Sequence, residues 1–450
     1  MVARLYRPLF MVAVLSGTIA IATWIYFNVA LNKAAAQAFF VRTSSLVLLV
    51  LFFIVAARYA VLAWFAYLQH IENTTTSALS GDLPLVSIIV PAYNEGKLIV
   101  SSVESLLKQD YPLMEIVIVD DGSSDDTYAR AMVLAGQYGD QKIRVVHQEN
   151  SGKANALNHG IQAAKGSLIL CMDGDSLLEP QTVRMAVRHF ADPAVGAVAG
   201  NVKVINRRNC LTRLQTLEYI EGISLVRTAH AFFRRVTIIP GPIGIFRKEV
   251  LEKLGGYRDD TYAEDCELTL RILMAGWKIQ YEEKAIAWTE APETLKALFN
   301  QRYRWSRGIL QAILRHKSEL GKPWRQSMDC AFLWMLVFEA FAWPAMNILG
   351  NLLFILVAAW VGFPLLIVLW WAQLTILDFV AALFCVALEK EDIRIACYSI
   401  LYRMFFIPFL DVIKVFSSVD EFCGVGMGWR KLERVGAING ASQHMEATWS

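Results

Sequence analysis

Long apolar stretches on either side of a polar middle constrain this 450-residue chain more than any other feature. They run from Leu9 to Leu31, from Ser45 to Leu68, and almost without a break from Cys330 to Leu388, whereas Ser80 to Ser327 reads as globular. A bilayer core of ~30 Å is crossed by about 20 apolar residues in a helix, so both N-terminal runs qualify as spans. The first run is long, lacks a clean small-residue cleavage site and leads directly into the second, so it is expected to stay in the mature protein. With 55% hydrophobic and 19% charged residues, the chain is too oily for an ordinary soluble enzyme and too charged for a pure membrane bundle.

The expected division is two spans in residues 1–71, a globular domain in 80–293, amphipathic interfacial helices in 294–328, further spans in 329–418 and a polar tail in 419–450. Cys330 to Leu388 has room for two spans, with a kink at Pro344 and a turn at Gly362-Phe363-Pro364. The next apolar stretch, Ile395 to Phe416, holds Arg403, Asp411 and Lys414 and reads either as a span or as an interfacial helix. The basic tail residues Arg430, Lys431 and Arg434 favour the cytoplasm, which an odd number of C-terminal spans would forbid, so the parity stays open.

The seven cysteines are scattered without a CxxC pair, which indicates neither a zinc site nor a disulfide framework. A net charge of +2 and the lack of a basic stripe with interleaved aromatics argue against nucleic acid as a partner.

Beyond the polar linker Glu72 to Gly81, strand candidates Leu85 to Val90, Glu115 to Val119, Ile143 to His147 and Ser167 to Met172 alternate with helical patterns. The helices are expected at Lys97 to Gln109, Asp126 to Gly136, Lys153 to Ala164 and Pro180 to Phe190. Such alternation predicts an α/β domain with a mainly parallel sheet and helices on both faces. Ligands of such sheets sit beyond the carboxyl ends of the strands. Those ends carry Pro91-Ala92-Tyr93-Asn94-Glu95, then Asp120-Asp121-Gly122, then Asp173-Gly174-Asp175.

Two carboxylates flanking Gly174 suit a hard divalent cation, Mg²⁺ or Mn²⁺, held partly by the phosphates of a ligand. The plainer alternative is a strand-to-helix turn with Asp caps. The glycine is read as what lets Asp173 and Asp175 turn to one point. Asp120 and Asp121 suit the hydrogen-bonding edge of a base or ribose, or else an Asx turn. Tyr93 could pack on a base and Glu95 accept from it, unless Asn94-Glu95 only opens the next helix. Ser151-Gly152-Lys153 lacks the earlier glycine of a P-loop, since His147 occupies that place, and remains a modest phosphate or nucleotide site or a solvated helix start.

Glu264-Asp265 opens a helical run, where a carboxylate complements the helix dipole but could also act as a general base, with Asp265 the candidate. Gln301-Arg302-Tyr303-Arg304-Trp305 lies in an amphipathic basic pattern from Thr294 to Leu320, expected on the inner leaflet. There Trp305 and the arginines serve either as interfacial anchors and lipid contacts or as site residues.

The ordered set Asp120-Asp121, Asp173-Gly174-Asp175, Glu264-Asp265 and Gln301-Arg302-Tyr303-Arg304-Trp305, flanked by spans, resembles the membrane-bound family 2 glycosyltransferases. Their processive members include cellulose, chitin, hyaluronan and poly-N-acetylglucosamine synthases. The resemblance covers about Leu85 to Lys317 and is strongest to the poly-β-1,6-N-acetylglucosamine synthases, through Trp288 to Thr294 ahead of the QxxRW pattern. It implies a GT-A domain inserted between transmembrane helices and inverting, processive transfer from a UDP-sugar to a growing β-linked exopolysaccharide, coupled to export. UDP-N-acetylglucosamine is favoured; the alternative is one-step transfer to a membrane lipid acceptor.

By the same resemblance Pro91, Tyr93, Glu95, Asp120, Asp121, Lys153 and Asp173 would hold the nucleotide, and Asp173 and Asp175 the metal. Asp265 would be the base beside Glu264, while Gln301, Arg304 and Trp305 would close over donor and acceptor, with Arg304 facing the diphosphate. Ala263 departs from the threonine often found before the acidic pair, and the chain returns to the membrane too soon after Trp305 to hold a cyclic-dinucleotide domain. Partners expected are the UDP-sugar, a growing polysaccharide or lipid-linked acceptor, membrane lipids and, where export needs one, a small membrane subunit. Arg4 and Arg7 nearly balance Lys33 and Arg42 around the first span, so orientation rests on the cytoplasmic donor and on two spans returning the chain to its starting side, which predicts a multi-pass inner-membrane protein with the catalytic domain and the N-terminus on the cytoplasmic side.

Overall fold

The computed structural model describes residues 35–75, 82–321, 328–361 and 365–426. The first apolar run, the Gly362-Phe363-Pro364 turn and the basic tail lie outside the described residues. Among the described residues three helical stretches are long and apolar enough to cross a membrane, Arg42–Thr74, Met328–Ala359 and Val368–Glu389, which marks the chain as a membrane protein.

Helix α1 (Ala35–Thr75) leads to β1 (Val86–Ala92), α2 (Ile99–Leu107), β2 (Met114–Asp121), α3 (Thr127–Leu134), β3 (Gly136–Tyr138) and β4 (Gln141–Gln148). Then come α4 (Lys153–Ala163), β5 (Leu168–Cys171), β6 (Ser176–Leu178), α5 (Thr182–Val187) and β7 (Val195–Val204). After α6 (Cys210–Leu217) a π-helical stretch, Glu218–Ser224, runs into α7 (Leu225–Phe232). The domain closes with β8 (Gly244–Arg247), α8 (Lys248–Leu254), α9 (Glu264–Met274), β9 (Lys278–Thr289) and α10 (Leu295–Arg315). The C-terminal part holds α11 (Met328–Val337), α12 (Trp343–Val361), α13 (Leu365–Glu389) and α14 (Ile407–Phe422).

Among the described residues nine strands form one sheet in the order β3-β4-β2-β1-β5-β8-β7-β9-β6. From β4 to β5 all neighbours are parallel, as the alternation of strands and helices predicts. Along β1, Val86, Ile88 and Val90 enter the core on one face and Ile89 the core on the other, so helices cover both faces. The remaining half is mixed: β8 runs antiparallel to β5 and β7, and β6 antiparallel to β9, while β7 and β9 are parallel. The helix expected to reach Gly136 stops at Leu134, and the chain turns there into β3, which pairs antiparallel with β4.

The membrane part departs from expectation in two respects. Pro344 sits at the start of α12, directly after a π-helical segment, Phe338–Ala342, that joins α11 to α12. Ile395 to Phe416 is no long apolar helix: it is broken into a 3₁₀ turn, a short α turn, a π segment at Tyr402–Phe406 and the start of α14. The polar residues in the spans have partners. Arg58 pairs with Glu339 at 2.7 Å, and Asp378 accepts both arms of Arg403. Helix α1 also outlasts any bilayer and docks on the catalytic domain, where His70 meets Glu283 and Arg188 donates to the carbonyl of Asn73.

Gly160 allows α4 to lie close to the sheet, since a Cβ there would stand 2.3 Å from a methyl of Ile89 and 3.2 Å from one of Val119. Overpacking of this kind costs about 1–3 kcal/mol. Gly160→Ala is therefore expected to lower the thermal unfolding midpoint of the detergent-solubilised protein, and an unchanged midpoint would show that the helix can shift away.

Candidate active site

Each motif lies where the sheet or a helix delivers it. The loop after β1 is tied to the loop after β2: Asn94 accepts from the backbone of Ser124, and Thr127 Oγ1 receives the amide of Glu95 at 2.8 Å. This holds exposed Tyr93 and half-buried Glu95 beside the β2 end. Asp121 accepts the amides of Ser151 and Gly152, both at 2.9 Å, and Gln148 Nε2 at 2.7 Å. Asp120 is fully buried; its Oδ2 meets His147 Nδ1 at 2.8 Å, whereas its Oδ1 has no partner among the described residues. An unmet carboxylate oxygen is costly, and this one could accept from a ligand donor.

Gly174 has a different role from the expected one. Its backbone is ordinary, but a Cβ would come 2.9 Å from the carbonyl of Pro91, so the residue is small because the end of β1 passes against it. Asp173 is half-buried and Asp175 buried. Among the described residues no group of three or more His, Cys, Asp or Glu side chains could cage a metal. A cation supplemented by phosphate oxygens and water still fits these two carboxylates. Gly241 leaves the space: a Cβ there would sit 3.2 Å from Asp173 Oδ2 and 3.0 Å from Lys153 Nζ.

Lys153, expected with the nucleotide, is placed at the centre of the site. Its ammonium lies 2.7 Å from Asp173 Oδ1 and 3.1 Å from Glu264 Oε1, joining the DxD turn to the acidic pair. Burial opposes its charge, but Asp173 and Glu264 prevail and hold its pKa above the ordinary lysine value. Burial likewise pushes Glu264 up, yet Lys153 and Arg304 bring it below the usual carboxylate range. Asp265 goes the other way, pushed up to about 6 by burial and by the charge of Glu264. Two adjacent carboxyl groups split in this manner provide one fixed anion and one group able to exchange a proton.

Helix α10 brings up the last motif. It begins at Thr294, whose hydroxyl caps Ala297. Gly308 lets it press on the loop before the acidic pair, since a Cβ there would be 2.5 Å from Cβ of Ala263. Arg304 Nη1 donates to the carbonyl of Tyr262 at 3.2 Å, beside the acidic pair. The expected lipid contacts are not what the other arginines make. Buried Arg302 forms two bonds to Glu218 and lies 4.1 Å from the ring centre of Trp305, Arg307 pairs with Glu421, and Arg315 with Asp260. Gln301 accepts from Arg302 at 2.6 Å, and Trp305 is partly buried against the sheet core. Reading the sequence missed His147, Gly241 and Gly308; only Pro240-Gly241-Pro242 announces itself, as a turn ahead of a strand.

Residues 84–308, half of the chain, match the model of the "Glycosyltransferase like family 2". The chain belongs to this family. It is 32% identical over 235 residues to the poly-β-1,6-N-acetyl-D-glucosamine synthase of Staphylococcus aureus (strain COL), covering 52% of this chain and 57% of that one. The synthase of Staphylococcus epidermidis gives 32% over 232 residues, 51% and 56%. The chain thus spans a little over half the length of the curated relatives it matches. A mannosyltransferase from Pyrobaculum calidifontis, solved with GDP-Man and Mn²⁺, superposes with a TM-score of 0.60 at 22% identity, over 84% of this chain and 100% of that one. This likeness establishes the GT-A fold.

In a family 2 glycosyltransferase the acceptor hydroxyl must lose its proton as it attacks, and removal of a general base costs about a hundredfold or more. Asp265→Asn is expected to lower turnover by at least about that factor with nucleotide binding retained. Because only the ionised form of Asp265 accepts a proton, wild-type turnover should rise as pH passes through about 6. A flat profile, or near-normal turnover in the variant, would reduce Asp265 to a helix-terminal carboxylate.

Proposed function

We propose that this chain is an inverting, processive synthase that transfers N-acetylglucosamine from its UDP donor to a growing β-linked polysaccharide and passes the product across the membrane. The observation that carries the reading is the Lys153 ammonium bridging Asp173 and Glu264; with Asp173 read as the diphosphate side and the acidic pair as the base side, one side chain reaches both. The 32% identity to poly-β-1,6-N-acetyl-D-glucosamine synthases favours the sugar. The spans on both sides of the domain favour export and a catalytic domain facing the cytoplasm, where nucleotide sugars are held.

In this mechanism Asp120 and Asp121 accept from the nucleoside, with Tyr93 against the base. Asp173 and Asp175 would hold Mg²⁺ or Mn²⁺, which when bound supplies charge neutralisation at the diphosphate. Asp265 takes the proton from the acceptor hydroxyl while the hydroxyl's own oxygen forms the bond to the anomeric carbon. The bond from that carbon to the diphosphate breaks on the opposite face, UDP leaves with the electron pair, and the configuration inverts. Lys153 and Arg304 offer positive charge beside the leaving group. Trp305, with Arg302 on one face, has its other side for the acceptor sugar.

Purified protein with Mg²⁺ or Mn²⁺ and a panel of UDP-sugars tests this by UDP release and product length. Release from UDP-N-acetylglucosamine with long polymer is expected. One sugar on a lipid would favour the nonprocessive alternative, and no release with any UDP-sugar would sink the reading.

Asp175→Ala should abolish the metal dependence of UDP binding, because one lost carboxylate leaves too few fixed ligands. Calorimetry with and without Mn²⁺ measures it, and unchanged dependence would move the metal elsewhere. Trp305→Ala should lose polymer synthesis while donor hydrolysis and membrane insertion persist. Normal polymer length in that variant would leave Trp305 a packing residue.

A further inference from the structure

Tyr262, just ahead of Glu264-Asp265, is gripped from three directions by one face of α10. Its carbonyl accepts from Arg304 at 3.2 Å, its ring centre lies 5.5 Å from the guanidinium of Arg307, and its amide donates to Gln311 Oε1 at 3.1 Å. Positions 304, 307 and 311 follow the i, i+3, i+7 spacing that puts side chains on the same side of a helix. Arg304 belongs to the QxxRW pattern, whereas Gln311 lies beyond it. The hydroxyl of Thr261 donates to the same Oε1 at 3.3 Å, so both lone pairs of that oxygen are spent on the loop before the acidic pair.

The other half of the Gln311 amide is held by the membrane part. Its Nε2 donates to Glu421 Oε1 at 3.0 Å, while Glu421 Oε2 takes Arg307 Nε at 2.7 Å. Glu421 sits in the last turn of α14, and α14 is joined to the span α12 through Asp411, which accepts from Asn347 at 3.0 Å. An amide suits this place because it has an acceptor for the backbone of Tyr262 and a donor for the carboxylate of Glu421; an ionised carboxylate or an ammonium would serve one side only. The far end of the loop is tied to α4, where Asn158 accepts the amide of Tyr257 and donates to its carbonyl, both at 2.8 Å. The loop that delivers the acidic pair is thus stretched between the helix that carries Lys153 and the helix fastened to α14.

We infer that Gln311 is a positioning residue that fixes the acidic pair to the membrane part through Glu421, so that Asp265 keeps its place for the transfer only while the loop, α10 and α14 are joined. This rests on the reading of Asp265 as the base of a glycosyl transfer. Gln311 acts through Tyr262 rather than on a substrate, so its removal should be felt in the chemical step and not in binding of the donor.

The full-length protein in nanodiscs, with UDP-N-acetylglucosamine and Mg²⁺, gives kcat and the donor KM from UDP release, and the folded fraction is measured on the same samples well below their unfolding midpoint. Because a misplacement of about 1 Å at the reacting groups can cost about a hundredfold, Gln311→Met is expected to lower kcat per folded molecule by about 10- to 100-fold with the donor KM within about twofold. Gln311→Glu keeps the acceptor for Tyr262 but sets a carboxylate against Glu421, and should lose turnover as well. Adding Glu421→Gln to it returns a donor to that contact, leaves one carboxylate near Arg307, and should recover most of the loss. The inference is overturned if kcat per folded molecule is unchanged in Gln311→Met, if the donor KM rises as kcat falls, or if the paired exchange is no better than Gln311→Glu alone. Should Gln311→Met not withstand extraction, the comparison of Gln311→Glu with the paired exchange decides by the same criteria. Failure of the underlying catalytic reading looks different: wild type would release no UDP from any UDP-sugar, or Asp265→Asn would keep near-normal turnover.

Discussion

The site depends on one ammonium group. Without Lys153 the turn after β5 and the start of α9 would present Asp173, Glu264 and Asp265 to one another in a partly water-excluded space, and like charges there repel strongly. The lysine enters from the first residue of α4, so its position is fixed by a helix that the sheet itself grips at Gly160. It neutralises Asp173 and Glu264 at the same time and leaves Asp265 to carry the raised pKa. The two acidic residues of the pair are thus distinguished by the ion pair that Lys153 makes with Glu264, reinforced by Arg304. Their own positions at a helix N-terminus would favour ionisation of both.

A second constraint joins the catalytic domain to the membrane helices. At the π-helical stretch Glu218–Ser224 the wider turn displays Glu218 and Glu221 to different partners. Glu218 receives Arg302 of the QxxRW helix, and Glu221 accepts from Tyr59 of α1 at 2.8 Å. Tyr59 in turn reaches Asp378, which is held by Arg403. Breaking a buried pair by removing one partner costs about 3–5 kcal/mol, because it leaves the other charge stranded. The chain from Arg302 to Arg403 is therefore costly to break, and Tyr59, Asp378 and Arg403 belong to it, whereas Arg58 and Glu339 form a separate pair. Asp378 and Glu339 both have ion-pair partners.

How much could be read beforehand depended on how local the signal was. The strands β1, β2, β4 and β5 were visible because each is a short apolar run ending in a polar cluster, and parallel neighbours follow from the intervening helices. Of β6 to β9 none was placed. Their pairing is antiparallel or irregular, β7 and β9 shift register twice, and β6 has only three residues. The site motifs were legible as residue types at strand and helix ends. Lys153 between two motifs, and Gly241 beside it, were not, since both facts are contacts between segments far apart in sequence. Gly174 shows the same limit: a glycine between two aspartates suggests a turn, whereas its reason is the carbonyl of Pro91.

The QxxRW helix illustrates how a motif can hide its own support. The pattern counts Gln301, Arg304 and Trp305 and passes over the two residues between, yet those two fix the helix. Arg302 binds Glu218 with two bonds and lies over Trp305, while the hydroxyl of Tyr303 donates to Asp420 of α14 at 2.6 Å. Gln301 is held by Arg302 rather than presented freely. Arg302 thus orients two of the three motif side chains, and the guanidinium over the Trp305 ring fixes that ring by a cation–π contact. Since this face of the indole is occupied, the stacking proposed above for an acceptor sugar has only the other face to use, and that side is chosen by a residue that the motif leaves blank.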